Sequence, residues 1–168
     1  PDGGGIKIHQ QKYIKTLVER FLPNGLPPNL QRNSMPYSQH FEKHIADALA
    51  LDPGVHPELV KPFQQRVGCL MYACNSTRPD IAFVTHKLCQ CLMKPTPELM
   101  HETDRVFAYL GRHADVGLTY TKEYASLVGY SDSSWETRNS TSGWVVLWQG
   151  AAISWGSRKQ KSIAISTC

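Results

Sequence analysis

Asp132 is the residue whose type and setting first point to chemistry. It ends the run Leu127-Val128-Gly129-Tyr130-Ser131-Asp132 and precedes Ser133-Ser134-Trp135. A carboxylate after an apolar, alternating run stands where a strand ends, a position that suits a metal ion. One carboxylate does not make a hydrolytic metal site, and the other acids add little. Glu136 falls in an expected turn and would have to swing back across it. Asp115 and Glu123 precede the strand as solvated loop groups. Asp80 follows Pro79 at an expected helix start, where a carboxylate stabilises the N-terminal end of the helix dipole.

The remaining reactive side chains do not assemble a site. Among the seven histidines only His40 and His44, at i, i+4, have a spacing a metal could use. Of the five cysteines, Cys89 and Cys91 are one residue short of the CxxC spacing, and Cys69 and Cys74 are too far apart for it. Their neighbours are apolar and helix-periodic, so they read as small buried hydrophobes. There is no G-x-S-x-G, P-loop or dinucleotide fingerprint.

The composition, 168 residues with 41% hydrophobic and 19% charged, describes a globular chain able to bury a real core. No run approaches the roughly 18 apolar residues of a bilayer span. Pro1-Asp2-Gly3-Gly4-Gly5 has neither an apolar h-region nor an initiator Met, so no signal peptide is expected and the start reads as a turn interrupted mid-chain. With an odd cysteine count this argues for reduced thiols and an intracellular place, cytoplasmic or nuclear. The net charge of +4 permits a polyanionic partner without demanding one.

Ile6-Lys7-Ile8-His9 alternates after three glycines and reads as the second strand of a hairpin. From Gln10 the period is helical: Tyr13, Ile14, Leu17, Val18 and Phe21 share a face until Pro23-Asn24-Gly25 stops it. Residues 23–58 are proline-rich and read as a linker with one short helix in the Phe41 to Leu51 piece. Three stripes follow, carried by Phe63, Val67, Leu70, Met71 and Cys74, then by Ile81, Val84, Leu88 and Cys91, then by Leu99, Thr103, Val106, Phe107 and Leu110. They predict a small helical bundle. After Gly117 the period drops to two, predicting strands at Leu118–Tyr120, Leu127–Ser131, Gly143–Trp148 and Ala151–Trp155. Gln149-Gly150 joins the last two as a tight hairpin, and Lys161 to Ser166 reads as a further strand or the approach to a helix.

Several motifs match one family in order. Gln65-Arg66-Val67-Gly68-Cys69-Leu70-Met71-Tyr72 resembles "RxLVGSLMYL", Thr77-Arg78-Pro79-Asp80-Ile81-Ala82 matches "TRPDIA", and Gly117-Leu118-Thr119-Tyr120 resembles "GLxY". Leu127 to Asp132 resembles "LVGYSDADWAG", Ser140-Thr141-Ser142-Gly143-Trp144 resembles "STSGY", and Ala151 to Trp155 with Arg158-Lys159-Gln160-Lys161 resembles "AAISWSSKKQK". The chain thus resembles the copia-type LTR retrotransposon Pol polyprotein, from the end of the reverse transcriptase into RNase H. The departures matter too. The family's "YVDD" carboxylates are absent, and Ser162 to Cys168 reaches the residue before the first Glu of "VALSSTEAEY" and stops. Ser134-Trp135-Glu136-Thr137 replaces the usual continuation after the Asp, and the following loop is short.

The resemblance implies an α+β fold: a helical thumb/connection-like bundle, then an incomplete RNase H-like sheet with three leading antiparallel strands. The expected divisions are 1–22 (end of the palm and its following helix), 23–58 (linker), 59–116 (thumb/connection-like) and 117–168 (truncated RNase H-like). RNase H chemistry uses two Mg²⁺ ions about 4 Å apart, and Asp132 would be their first ligand. With its partners missing, the fragment is expected to be inactive alone, unless another chain completes the site for Mg²⁺-dependent hydrolysis of RNA in hybrids. The implied partner is an RNA/DNA hybrid or template-primer duplex, met by Lys87, Lys94, Arg105 and Arg112 on the helices and by Arg158, Lys159 and Lys161 beside the hairpin. An uncovered sheet face bearing Val145, Leu147 and Ile153 is expected to drive self-association.

Overall fold

Apolar residues at helical spacing produce five α-helices among the residues that the computed structural model describes, which are 4–25, 35–122, 126–133 and 140–160. These are α1 (Gln11–Phe21), α2 (Phe41–Ala50), α3 (Pro57–Ser76), α4 (Ala82–Cys89) and α5 (Pro97–Arg112), with a 3₁₀ turn at Pro79–Ile81. The chain divides into two units, His9–Val116 and Pro1–Ile8 with Gly117–Cys168.

The first unit is the helical one. Phe63, Val67, Leu70 and Cys74 recur every three or four residues along α3, and all four are buried, whereas Met71, one residue past Leu70, turns off that face and is exposed. The four buried residues meet Ile14 and Leu17 of α1, Val84 and Leu88 of α4, and Leu99, Val106, Phe107 and Leu110 of α5 in one core. Phe21 stacks on Phe107 with ring centroids 4.6 Å apart. The start of α5 is set by Thr96, whose hydroxyl accepts the Leu99 amide at 3.3 Å, and by Pro97, whose missing N–H costs nothing there. The short helix expected within the proline-rich stretch is present as α2. Its Phe41, Ile45 and Ala48 are buried in the same core, beside Tyr37 and Phe83.

The second unit holds the strands. β2 (Gly117–Tyr120) pairs with β1 (Ile6–His9), so the partner of the N-terminal strand among the described residues lies far along the chain. β3 (Leu127–Ser133), β4 (Thr141–Trp148) and β5 (Ala151–Lys159) form an antiparallel meander in the order β3-β4-β5. These are the three leading strands expected from the sequence. Gln149 and Gly150 turn the hairpin with φ of 50° and 82°, the doubly positive pair that a two-residue I′ turn requires. The end of the hairpin is pinned by Gln160, whose backbone N–H donates to the Ser140 carbonyl at 2.8 Å and whose side-chain amide donates to the Ser142 hydroxyl at 2.7 Å.

Alternation along β4 separates two faces. Val145 and Leu147 are partly buried against Leu118, Ala151, Ala152, Tyr120 and Trp155. Of the face expected to be bare, Val145 and Leu147 are partly covered by β2, whose Tyr120 hydroxyl donates to the Ala152 carbonyl at 2.9 Å, while Ile153 stays exposed. Among the described residues, the exposed large apolar side chains of this unit are Ile6, Ile8, Leu127, Val128, Tyr130, Trp144, Trp148 and Ile153. The element expected over Lys161 to Ser166 lies outside the described residues. Among the described residues no helix is long and apolar enough to cross a membrane.

Candidate functional site

β3 carries Asp132 near its end, opposite Gly143 of β4, with the carboxylate exposed. Its Oδ1 accepts the backbone N–H of Ser133 at 2.7 Å. Opposite a glycine the carboxylate stands clear of cross-strand side chains and points to water. Among the described residues no group of three or more His, Cys, Asp or Glu side chains could hold a metal ion. Asp115 is exposed ahead of β2, and Glu123 and Glu136 lie outside the described residues. The donor set on view therefore does not fit a two-ion centre, which needs several oxygen ligands on one face.

The expected basic residues fall into two sets. Arg158 and Lys159 end β5, both exposed and paired in register with Ser142 and Thr141. As neighbours on a strand they address opposite faces. Lys161 lies outside the described residues. On the helical unit Arg105 and Arg112 are seven residues apart on α5, hence on one side, and both are half-buried. Lys87 on α4 is 2.9 Å from the carboxylate of Glu42, and its ammonium lies 5.4 Å from the Phe83 ring centroid. Lys94 donates to the Leu49 carbonyl at 2.9 Å. A phosphate reaching Lys87 or Lys94 has an internal acceptor to displace.

The polar features that sequence reasoning missed are inside the helical unit. Glu102, 3% exposed, accepts hydrogen bonds from the Ser38 backbone N–H at 3.0 Å, from the Ser38 hydroxyl, and from His44 Nδ1 at 2.9 Å. This places the two spaced histidines differently, because His44 is bound to a carboxylate while His40 Nε2 sits 3.1 Å from the Gln39 amide. A signal was available: Glu102 interrupts the apolar stripe of α5 between Leu99 and Val106, where a charge must find partners. Arg66 is the second. It binds Asp104 and the Thr103 hydroxyl while its guanidinium lies 5.1 Å and 5.8 Å from the ring centroids of Phe21 and Phe107.

The cysteines behave as apolar filling. Among the described cysteines, Cys74 and Cys91 are buried, Cys69 and Cys89 half-buried, and none of the four is in a disulfide. Burial pushes the Cys91 thiol up to about 11, against a weaker opposing pull from Lys94, and raises Cys89 in the same direction. Asp80, read from sequence as a helix-start carboxylate, lies in the first turn of the 3₁₀ segment Pro79–Ile81 and is also bound by Arg78.

No family model matches the chain, and no solved structure matches it. Curated proteins do. A protein named secreted RxLR effector protein 161, from Plasmopara viticola, is 39% identical over 111 residues, which cover 63% of this chain and 78% of that protein. The retrovirus-related Pol polyprotein from transposon TNT 1-94 of Nicotiana tabacum is 31% identical over 95% of this chain. That from transposon RE1 of Arabidopsis thaliana is 29% identical over 97%. The chain spans only 12% and 11% of those two polyproteins.

Proposed function

Because the chain belongs to the copia-type retrotransposon Pol polyprotein family, we propose that it works as a nucleic-acid-contacting portion of such a polyprotein, without hydrolytic activity of its own. The observation that carries this is the match of nearly the whole chain to a short stretch of the Pol polyproteins. The order of the motifs supports placing that stretch from the end of the reverse transcriptase into RNase H. In this reading Asp132 is the first carboxylate of the RNase H site, and the described residues supply no set that completes it.

The contacts assigned to RNA/DNA hybrid are to phosphate. Arg158 and Lys159 are exposed for this role, and Arg105 and Arg112 share one side of α5. Such contacts are sequence-independent and weaken as salt rises. Mg²⁺-dependent cleavage of an RNA/DNA hybrid, with Asp132→Asn as control, tests the hydrolytic half of the proposal. Cleavage abolished by Asp132→Asn would overturn it, in favour of an active ribonuclease H completed by another chain. Hybrid binding that falls between about 50 and 200 mM salt supports the other half, and binding indifferent to salt opposes it.

A second reading is a protein-binding domain derived from the polyprotein. It is favoured by the 39% identity to a protein named as a secreted effector. Absence of hybrid binding at low salt, together with a stable 1:1 protein complex, would select it.

A further inference from the structure

Each end of α2 is seated on a lysine of the proposed phosphate-binding set. In its first turn Glu42 takes the Lys87 ammonium at 2.9 Å. In its last turn the Leu49 carbonyl, one of the C-terminal carbonyls left without a helical donor, accepts from Lys94 at 2.9 Å. The helix itself is fixed. Phe41, Ile45 and Ala48 are buried, and Glu102 of α5 holds Ser38 and His44 on either side of its N-terminus. The Glu42 side chain is 57% exposed while that of Lys87 is 18% exposed, its ammonium against Phe83. The carboxylate can therefore leave into water, whereas the ammonium stays in place.

We propose that α2 is an internal competitor for nucleic acid: Glu42 and the Leu49 carbonyl occupy Lys87 and Lys94, and backbone phosphate binds this face by exchanging with them. The proposal rests on the reading that the helical unit contacts an RNA/DNA hybrid. An ion pair whose carboxylate is solvated is held weakly, so a phosphate can replace Glu42 without undocking the helix. Glu42 is the stronger competitor because it carries a full charge and Leu49 offers a neutral carbonyl. α2 thereby sets how many cations the surface presents.

The test measures binding of a mixed-sequence RNA/DNA hybrid across a salt series for the parent chain, Glu42→Gln, and Glu42→Gln with Lys87→Ala. Glu42→Gln is expected to bind about three- to tenfold more tightly at low salt, with a log K against log salt slope steeper by up to about 0.9. The added Lys87→Ala is expected to abolish the gain. If the parent binds and Glu42→Gln does not improve on it, the competitor role is overturned and the proposed function stands. A gain that survives Lys87→Ala also overturns it, since net charge would then be the cause. No binding by the parent or by Glu42→Gln at any salt overturns both readings.

Discussion

The guanidinium of Arg78, wholly buried, grips the carboxylate of Asp80 two residues further on. Nε lies 2.9 Å from Oδ1 and Nη2 2.7 Å from Oδ2. The third nitrogen donates to the His113 carbonyl at 2.8 Å, satisfying a carbonyl at the C-terminal end of α5. Tyr109 donates its hydroxyl to Asp80 Oδ2 at 2.9 Å, and Thr77 donates to the Gln10 side chain at 2.8 Å. The segment Thr77-Arg78-Pro79-Asp80-Ile81 therefore joins the start of α1, the entry to α4 and the end of α5. Its residues are explained by folding.

Removing Asp80 would strand that buried guanidinium. Asp80→Ala is expected to cost about 3 kcal/mol, the range for breaking a buried pair from one side, and Asp80→Asn less, because the amide oxygen still accepts. Equilibrium urea unfolding reads the difference directly. An unchanged midpoint for Asp80→Ala would show that the guanidinium finds water or another acceptor.

Glu102 poses the converse case, a buried carboxylate held by three donors. Glu102→Gln keeps the shape but brings an NH₂ group towards the Ser38 and His44 donors. A loss of about 2 kcal/mol is expected, in keeping with hydrogen bonds to a charged group. Combined with Ser38→Ala, the two effects should fall short of additive, because the residues share one interaction. Strict additivity would mean that they act separately.

Much of this fold was legible because its periods are clean. The stripes of α3 and α5 recur every three or four residues, and the Gln149-Gly150 hairpin carries the turn chemistry its strands need. The covering of Val145 and Leu147 was not legible. It depends on β2 lying against β5, and no local pattern in Leu118 or Tyr120 reports that distant contact. The candidate site shows the same split. Asp132 stands at its strand end as read, but the occupants of Lys87 and Lys94 come from a helix some 45 residues earlier in the chain. Pairings at that separation are fixed by tertiary packing, which spacing along the sequence does not encode.

Gly156 is required by its neighbour across the sheet. A Cβ built there would lie 2.4 Å from two ring atoms of Trp144, whose indole crosses the glycine. Gly156→Ala must push the ring aside, at a cost of about 1–3 kcal/mol for an overpacked contact. Trp144→Ala in the same chain is expected to recover most of that loss by vacating the space. Thermal unfolding followed by circular dichroism checks both, and a fully tolerated Gly156→Ala would mean that the indole has a second resting place.

Alkaline pH, above the physiological range, should loosen the helical unit. The fold raises the Cys91 thiol from 9.0 to about 11 by burying it, so the neutral form is the one the native state prefers. The contribution is complete below pH 9 and is lost as pH rises from 9 through 11, amounting to about 2–3 kcal/mol for a two-unit shift. Cys89 moves the same way by burial, and Tyr109, raised by burial and by Asp80, extends the loss above pH 10. Urea midpoints between pH 7 and pH 11 should fall across this window, and Cys91→Ala should flatten the fall while lowering the starting value. If Cys91→Ala loses stability with pH as steeply as the parent chain, the buried thiol is not the group that titrates.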